Sequence, residues 1–421
     1  MINSMSSETT QCPQCGGVIP AGPGWSMWCE ACDWNLEGVV KPGASVAKSR
    51  SERRAQRRAE RLHQQMTGDP ADRRRHSAAR WVTFLVAVIV HLPAIAFLLS
   101  AGTILKVAGL NLVSLLQAAA LVGLAILMRP RLGSLPKDWP VLTRSDAPTL
   151  FELMDQISRE LRARPAHWMV FDLDYNCGTT IIGVGRRRLI RMGLPLWVVL
   201  SPPERVALLA HEVAHDTNGD LAHGLIVGSA LQILSGLSRW LSPPSRFSRG
   251  GKGTMVGFAE ELAALTMSGL SAVAYGCFRL LLHYARRASP RAEYLADEEA
   301  GRIGSPQAAV SCLDKLCLAG PFLFGLTLAA KRGEPDIWQS LLITSKAFAP
   351  REHERLRRIG RRSRQRTNDT HPPTALRIDV LRRLPESVPR VVPTSGQVEA
   401  IGREIQGVQG RLAALVTAPY E

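Results

Sequence analysis

No apolar run opens this chain, so no cleavable signal peptide is expected at its start. Lysine is scarce. Only eight of the 52 Lys and Arg residues are lysine, so the excess over 36 acids that gives a net charge of +16 is almost all arginine. That balance suits an anionic surface, either phospholipid head groups or nucleic acid, and codon bias would produce it equally. Internal repeats and long low-complexity tracts are missing, which excludes a repeat array. The cysteines also lack the spread of a disulfide-stapled fold. Four of the eight fall within the first 32 residues, while Cys177, Cys277, Cys312 and Cys317 are scattered like small buried hydrophobes. A reducing compartment fits that usage.

What is present begins with "CPQCGGVIPAGPGWSMWCEACDWN", which supplies Cys12, Cys15, Cys29 and Cys32 with 13 residues between the two C-x-x-C knuckles. Two such pairs can close a tetrahedron round one zinc ion, leaving no position open for chemistry. Residues 1–45 are therefore expected to form a structural zinc ribbon, separable from whatever lies far along the chain. Residues 46–80 read as a basic linker helix. Arg50, Arg53, Arg54, Arg57, Arg58 and Arg61 recur on one helical face, suited to an anionic membrane surface or simply to solvent.

Two long runs, 81–105 and 107–128, contain no acid, Lys or Arg, and only Lys106 separates them. Each exceeds the 18 or so residues that mark a spanning helix, so 81–128 is expected to be a transmembrane hairpin. Basic residues crowd both outer flanks, including Arg129, Arg131, Lys137 and Arg144 after it. The positive-inside tendency then places the N-terminus and the domain that follows in the cytoplasm, at a cell inner or plasma membrane. Residues 223–241 and 258–285 are weaker apolar stretches, either a second membrane hairpin or helices packed on the next domain. Their connecting loop carries Arg246, Arg249 and Lys252, the wrong sign for an external loop.

Residues 167–201 read as short β-branched strands broken by glycine turns, and a helical pattern starts at Pro203. That helix contains "AHEVAH". Positions four apart lie one above the other, so His211 and His215 present imidazoles to one point. Glu212 sits where its carboxylate reaches a water held by the same ion, the arrangement of zinc-assisted peptide hydrolysis. His-Glu-x-x-His alone arises by chance in such a chain at ~1%, and two core histidines are the plain alternative. Catalytic zinc takes three protein ligands. The third histidine of the longer motif would fall at 221, which is leucine, so a downstream carboxylate must serve. "SPRAEYLADEEA" offers Glu293, with Asp297 on the same helical face to orient a ligand histidine. Glu298 and Glu299 are the rivals. Pro290 is tolerated in the first turn of that helix.

Three motifs in order, "AHEVAH", "AEYLAD" and "THPPTALRI", make residues 81–385 resemble the HtpX-type and CAAX-prenyl-protease-type integral membrane zinc metallopeptidases. The resemblance implies His211, His215 and Glu293 as ligands of a catalytic zinc, Glu212 as general base and Asp297 behind a ligand histidine. It further implies His371 as an oxyanion donor, with Arg377 and Asn176 contacting substrate. Cys177 replaces the small residue usual beside Asn176.

The expected fold is mainly α with a small β-sheet: a zincin-like peptidase domain over 129–390 with transmembrane helices, an N-terminal four-cysteine ribbon and a C-terminal helical tail over 391–421. The expected activity is zinc-dependent endoproteolysis of membrane-associated or misfolded proteins. Two zinc ions per chain, a protein or peptide substrate and membrane lipid follow from that reading, while nucleic acid does not. A membrane-tethered ribbon protein that binds nucleic acid or a partner is one alternative, and processing of prenylated proteins by the same chemistry is another.

Overall fold

Cysteine knuckles impose turns at the N-terminus, and the strands between them are short. In the computed structural model, which describes residues 8–21, 26–37, 50–68, 78–129, 134–136, 139–183, 185, 187–217, 220–242, 255–362 and 372–418, β1 (Glu8–Gln11) pairs antiparallel with β2 (Val18–Ala21). The arginine-striped segment is helix α1 (Arg50–Thr67), with Arg57 and Arg61 exposed. Its other face is docked: Met66 is buried with Tyr294 and Val380, and Leu62 packs beside them.

The two apolar runs form α2 (Ala78–Ala108) and α3 (Leu112–Leu127). Asn111 caps α3, its side chain accepting from the Ser114 amide while Ser114 Oγ accepts from the Asn111 amide. Leu85, Leu98, Leu99, Val113, Leu116 and Leu127 point outward, as lipid-facing side chains do.

A four-stranded sheet follows, built from β3 (Val141–Leu142), β4 (Ala166–Asp172), β5 (Cys177–Ile182) and β6 (Arg187–Gly193) in the order β3-β4-β6-β5. Only the β4–β6 pair is parallel. Helix α4 (Pro148–Glu160) buries Phe151, Met154 and Ile157 in the same core as Phe171 and Met192 of the sheet. The apolar run after β6, read as extended from its β-branched residues, is instead the short helix α5 (Leu194–Val199), buried throughout. Pro195 sits in its first turn, where a missing amide hydrogen is not needed.

Helix α6 (Pro202–Thr217) carries the histidine motif and is followed by α7 (Asp220–Leu241) and the 50-residue α8 (Met255–Gly304). The weaker apolar stretches thus pack on the first hairpin. Val227, Ala230 and Leu234 of α7 and Leu281 of α8 enclose Ala87 of α2, and Ser229 Oγ lies 3.0 Å from His91 Nε2 across the α7–α2 contact. By length and composition, the segments Arg80–Ala108 and Glu261–Gly304 can cross a membrane. Helix α3 is apolar but shorter, 16 residues or roughly 24 Å against a hydrocarbon core of about 30 Å. The loop with Arg246, Arg249 and Lys252 lies outside the described residues. Pro290 does not open a new helix; it lies inside α8, which runs on through it. Packing on both sides of the proline offsets the one backbone hydrogen bond it removes.

The chain ends in α9 (Pro306–Leu316), α10 (Ala319–Lys331), α11 (Ile337–Lys346), α12 (Pro350–Arg362), α13 (Thr374–Leu381), α14 (Ser395–Glu404) and α15 (Gln406–Thr417). Helices α9 and α10 meet at a 63° bend and would make a third span only if taken together. The last two helices are built into the main core through Ile401, Ile405, Val408 and Leu412. Glu404 also accepts from the first free amides of α4, Thr149 at 2.7 Å and Leu150 at 3.0 Å.

Candidate active site

Helix α6 is held at both ends. At its start, "SPPE" follows the S-x-x-E capping pattern: Glu204 accepts the Ser201 amide at 2.6 Å. The same buried carboxylate accepts from Ser311 Oγ at 2.5 Å and Lys315 Nζ at 2.7 Å, both on α9. Burial alone would raise the Glu204 pKa; these donors outweigh it and hold the carboxylate below its usual range. At the other end, buried Arg188 of β6 pairs with Asp216, next to His215. Between α6 and α8 the backbones nearly touch. A Cβ at Gly304 would come within 2.9–3.0 Å of Ala207, so only glycine allows the crossing that brings α8 against the histidines.

The two imidazoles stand perpendicular, 4.9 Å apart between ring centres. The Glu293 carboxylate lies against both: Oε2 is 3.5 Å from His211 Nε2 and Oε1 is 3.6 Å from His215 Nε2. A tetrahedral zinc with bonds of about 2.0–2.1 Å needs its ligand atoms roughly 3.3–3.4 Å apart. The two nitrogens and one carboxylate therefore fit that ion with little adjustment, and their ligand atoms all lie within 4.8 Å of one another. The rival carboxylates point elsewhere, Glu299 to Arg302 at 3.1 Å and Glu298 to the same arginine at 3.8 Å.

Behind the cluster runs a chain of charge. His211 Nδ1 is 3.0 Å from Asp297 Oδ1, which places the hydrogen on Nδ1 and leaves Nε2 free to ligate. Asp297 in turn receives both Nε and Nη2 of Arg377, at 2.7 and 2.6 Å. Arg377 Nη1 also lies 3.4 Å from Glu293 Oε2. Burial disfavours the charged imidazole, but the carboxylates of Asp297 and Glu293 outweigh it and raise the His211 pKa to about 10. Loading a cation here must displace that proton.

In front lies a cavity of about 240 Å³. Glu212 and His211, Tyr175, Asn176 and Cys177, and the apolar Leu208, Leu313 and Leu316 all line it. Asn176 is exposed, and its carbonyl accepts the Gly193 amide at 2.8 Å. Burial, then the nearby Glu212 carboxylate, push the Cys177 thiol well above its usual pKa, so it stays neutral. Its strand, β5, is the sheet edge that packs on α6.

Residues 181–384 match the model of peptidase family M48. That segment is an M48 zinc metallopeptidase. No curated protein and no solved structure matches the chain. The M48 segment contains the zinc cluster, Asp297 and Arg377, whereas Asn176, Cys177, the first hairpin and the ribbon lie outside it. His371 falls within it but outside the described residues. Arg377 lines the cavity, and its guanidinium is held by Asp297 and Glu293.

A second cluster sits in the ribbon. Cys12 and Cys32 have their sulfurs 3.6 Å apart, and Cys15 and Cys29 3.5 Å apart. These are not disulfides, and the spacing is near the roughly 3.8 Å between thiolates sharing one tetrahedral zinc. Hydrogen bonding from the Cys32 amide lowers the Cys29 pKa to about 7, while burial pushes the Cys32 thiol up to about 12, so the sulfur spacing is what points to a metal.

Proposed function

We propose that this protein is a membrane-embedded endopeptidase that hydrolyses membrane-associated or misfolded proteins on the cytoplasmic side, with a structural zinc in its ribbon. The observation that carries the reading is the continuity of α8. Leu281 lies in the core of the helix bundle and Glu293 at the metal cluster, twelve residues or ~18 Å further along the same helix. Chemistry so close to the bundle meets chains at the membrane surface first.

His211, His215 and Glu293 hold the metal. A zinc ion there supplies Lewis-acid polarisation of the scissile carbonyl and lowers the pKa of water towards neutrality. Glu212 takes the proton from the water that adds to the carbonyl carbon, then returns it to the leaving amine. A substrate laid as a strand along β5 bonds mainly through its backbone, which favours unfolded sequences of many kinds. Asn176, which lines the cavity, orients that strand, and the motif assigns His371 to the oxyanion.

Asp297 and Arg377 work through His211. Asp297→Asn and Arg377→Met should each weaken zinc binding and activity about 10–100-fold, and Arg377→Lys should recover only part, since a lysine cannot make the paired bonds. Competition with a chromogenic chelator measures this; unchanged zinc affinity in both variants would sink the assignment.

Membrane vesicles test the function itself. Inverted vesicles should cleave an added unfolded protein in a chelator-sensitive way, sealed right-side-out vesicles should not, and a tightly folded protein should survive both. Cleavage by right-side-out vesicles alone would reverse the orientation, and equal cleavage of the folded protein would remove the substrate class.

A further inference from the structure

Chain distance makes the four-cysteine ribbon look separable from the peptidase, but the structure seats it on helix α12. Trp28, fully buried, lies beneath two guanidinium groups, with Arg351 5.1 Å and Arg358 5.2 Å from its ring centre. The other contacts run from arginine donors to the second knuckle. Arg351 donates to the Trp28 carbonyl, Arg355 to the Leu36 carbonyl at 2.9 Å, and Arg358 to the Glu30 carbonyl at 2.6 Å and the Asp33 carboxylate at 2.8 Å. Arg351 also faces the Glu30 carboxylate at 3.4 Å.

Three of these acceptors are backbone carbonyls, so the grip depends on loop shape more than on side-chain charge. The loop is wound tightly round Cys29 and Cys32. The Cys29 amide bonds the Trp34 carbonyl at 3.0 Å, and the Asp33 amide the Cys29 carbonyl at 2.9 Å. Asp33 and Asn35 both sit in the left-handed region, at φ 59° and 55°, which their short polar side chains tolerate and which turns the loop back round the cysteines. A metal closing the four-cysteine cluster would tie this loop to the first knuckle and fix its shape.

Helix α12 connects to the active site by two routes. Arg357 on it makes a paired bond to Asp314 of α9, at 2.9 and 2.7 Å, and the neighbouring Leu313 and Leu316 line the cleft. Helix α12 also packs directly on α13, which carries Arg377. We infer that the ribbon is a metal-dependent clamp on the peptidase: filled, it grips α12 and fixes the α9 wall and α13; emptied, it lets go and the peptidase slows. The inference rests on reading Cys12, Cys15, Cys29 and Cys32 as a metal site.

The test uses the full-length protein in detergent with two double variants, Cys12→Ser/Cys15→Ser and Arg351→Ala/Arg358→Ala. Zinc per chain, hydrogen exchange over residues 350–362 and 374–381, and kcat/KM on a soluble peptide are measured for each. The cysteine variant should retain one zinc of two, and the arginine variant both. Both should exchange faster over α12 and α13 and lose at least ~5-fold in kcat/KM, as expected when catalytic elements shift by a fraction of an ångström. Faster exchange over α12 with full kcat/KM would overturn the inference, and so would ribbon zinc lost with exchange unchanged. A wild type holding a single zinc would instead remove the ribbon metal reading, and the clamp with it. Because the arginine variant leaves the cysteines intact, it separates the two failures.

Discussion

Glu212→Gln is expected to lower kcat/KM by at least ~10²-fold while zinc stays bound, the cost of removing a general base. Glu212 lines the cleft and is almost fully buried, yet it is not one of the three residues whose ligand atoms meet. Glutamine keeps its shape and volume, so α6 keeps its packing. What the amide loses is the capacity to take a proton from water. No other described carboxylate substitutes: Glu293 faces the histidines, and Asp297 is bound by Arg377 behind them. Zinc analysis and peptide kinetics on the purified variant check this. Near-native turnover would remove Glu212 from the mechanism.

Glu293→Gln should be at least as damaging, with loss of the catalytic ion as well as of activity. Its two oxygens lie 3.5 and 3.6 Å from the two ring nitrogens, and its charge helps balance Arg377 at 3.4 Å. A neutral amide is a poorer ligand and leaves Asp297 alone to balance the guanidinium in a buried site. Glu298→Gln is the matched control, because that side chain turns towards Arg302 and its loss should leave zinc and turnover near wild type. If Glu298→Gln lost the ion and Glu293→Gln kept it, the ligand assignment would be wrong.

Much of the site was legible because its chemistry follows helical spacing. His211 with His215, and Glu293 with Asp297, are both i, i+4 pairs, and each pair meets the other as their spacing predicts. The first apolar run was legible from charge-free length alone and is the long helix α2, whereas the second, read as an equal span, gives the shorter α3 of 16 residues. What spacing could not carry were contacts set by tertiary packing. Arg377 pairs with a residue 80 positions away, and Arg358 with Asp33 at a separation of 325. Helix α12 carries no motif in the sequence, and its role shows only once the ribbon carbonyls are placed against it. The α5 segment misled for a related reason: fully buried on every side, it shows no helical periodicity, and its β-branched residues favour the opposite reading. Likewise Pro290 looks like a helix start in sequence, and only the packing of α8 on both sides of it shows that the helix continues.

The central claim is that a zinc-loaded cluster on α6 and α8 cuts peptide bonds. It is tested most directly by incubating the purified full-length protein with an unfolded protein, before and after chelation and after zinc is restored. The account predicts fragments, then none, then fragments again, with Glu212→Gln inactive throughout. Cleavage that survives complete removal of zinc, or that the Glu212→Gln protein performs equally well, would contradict it.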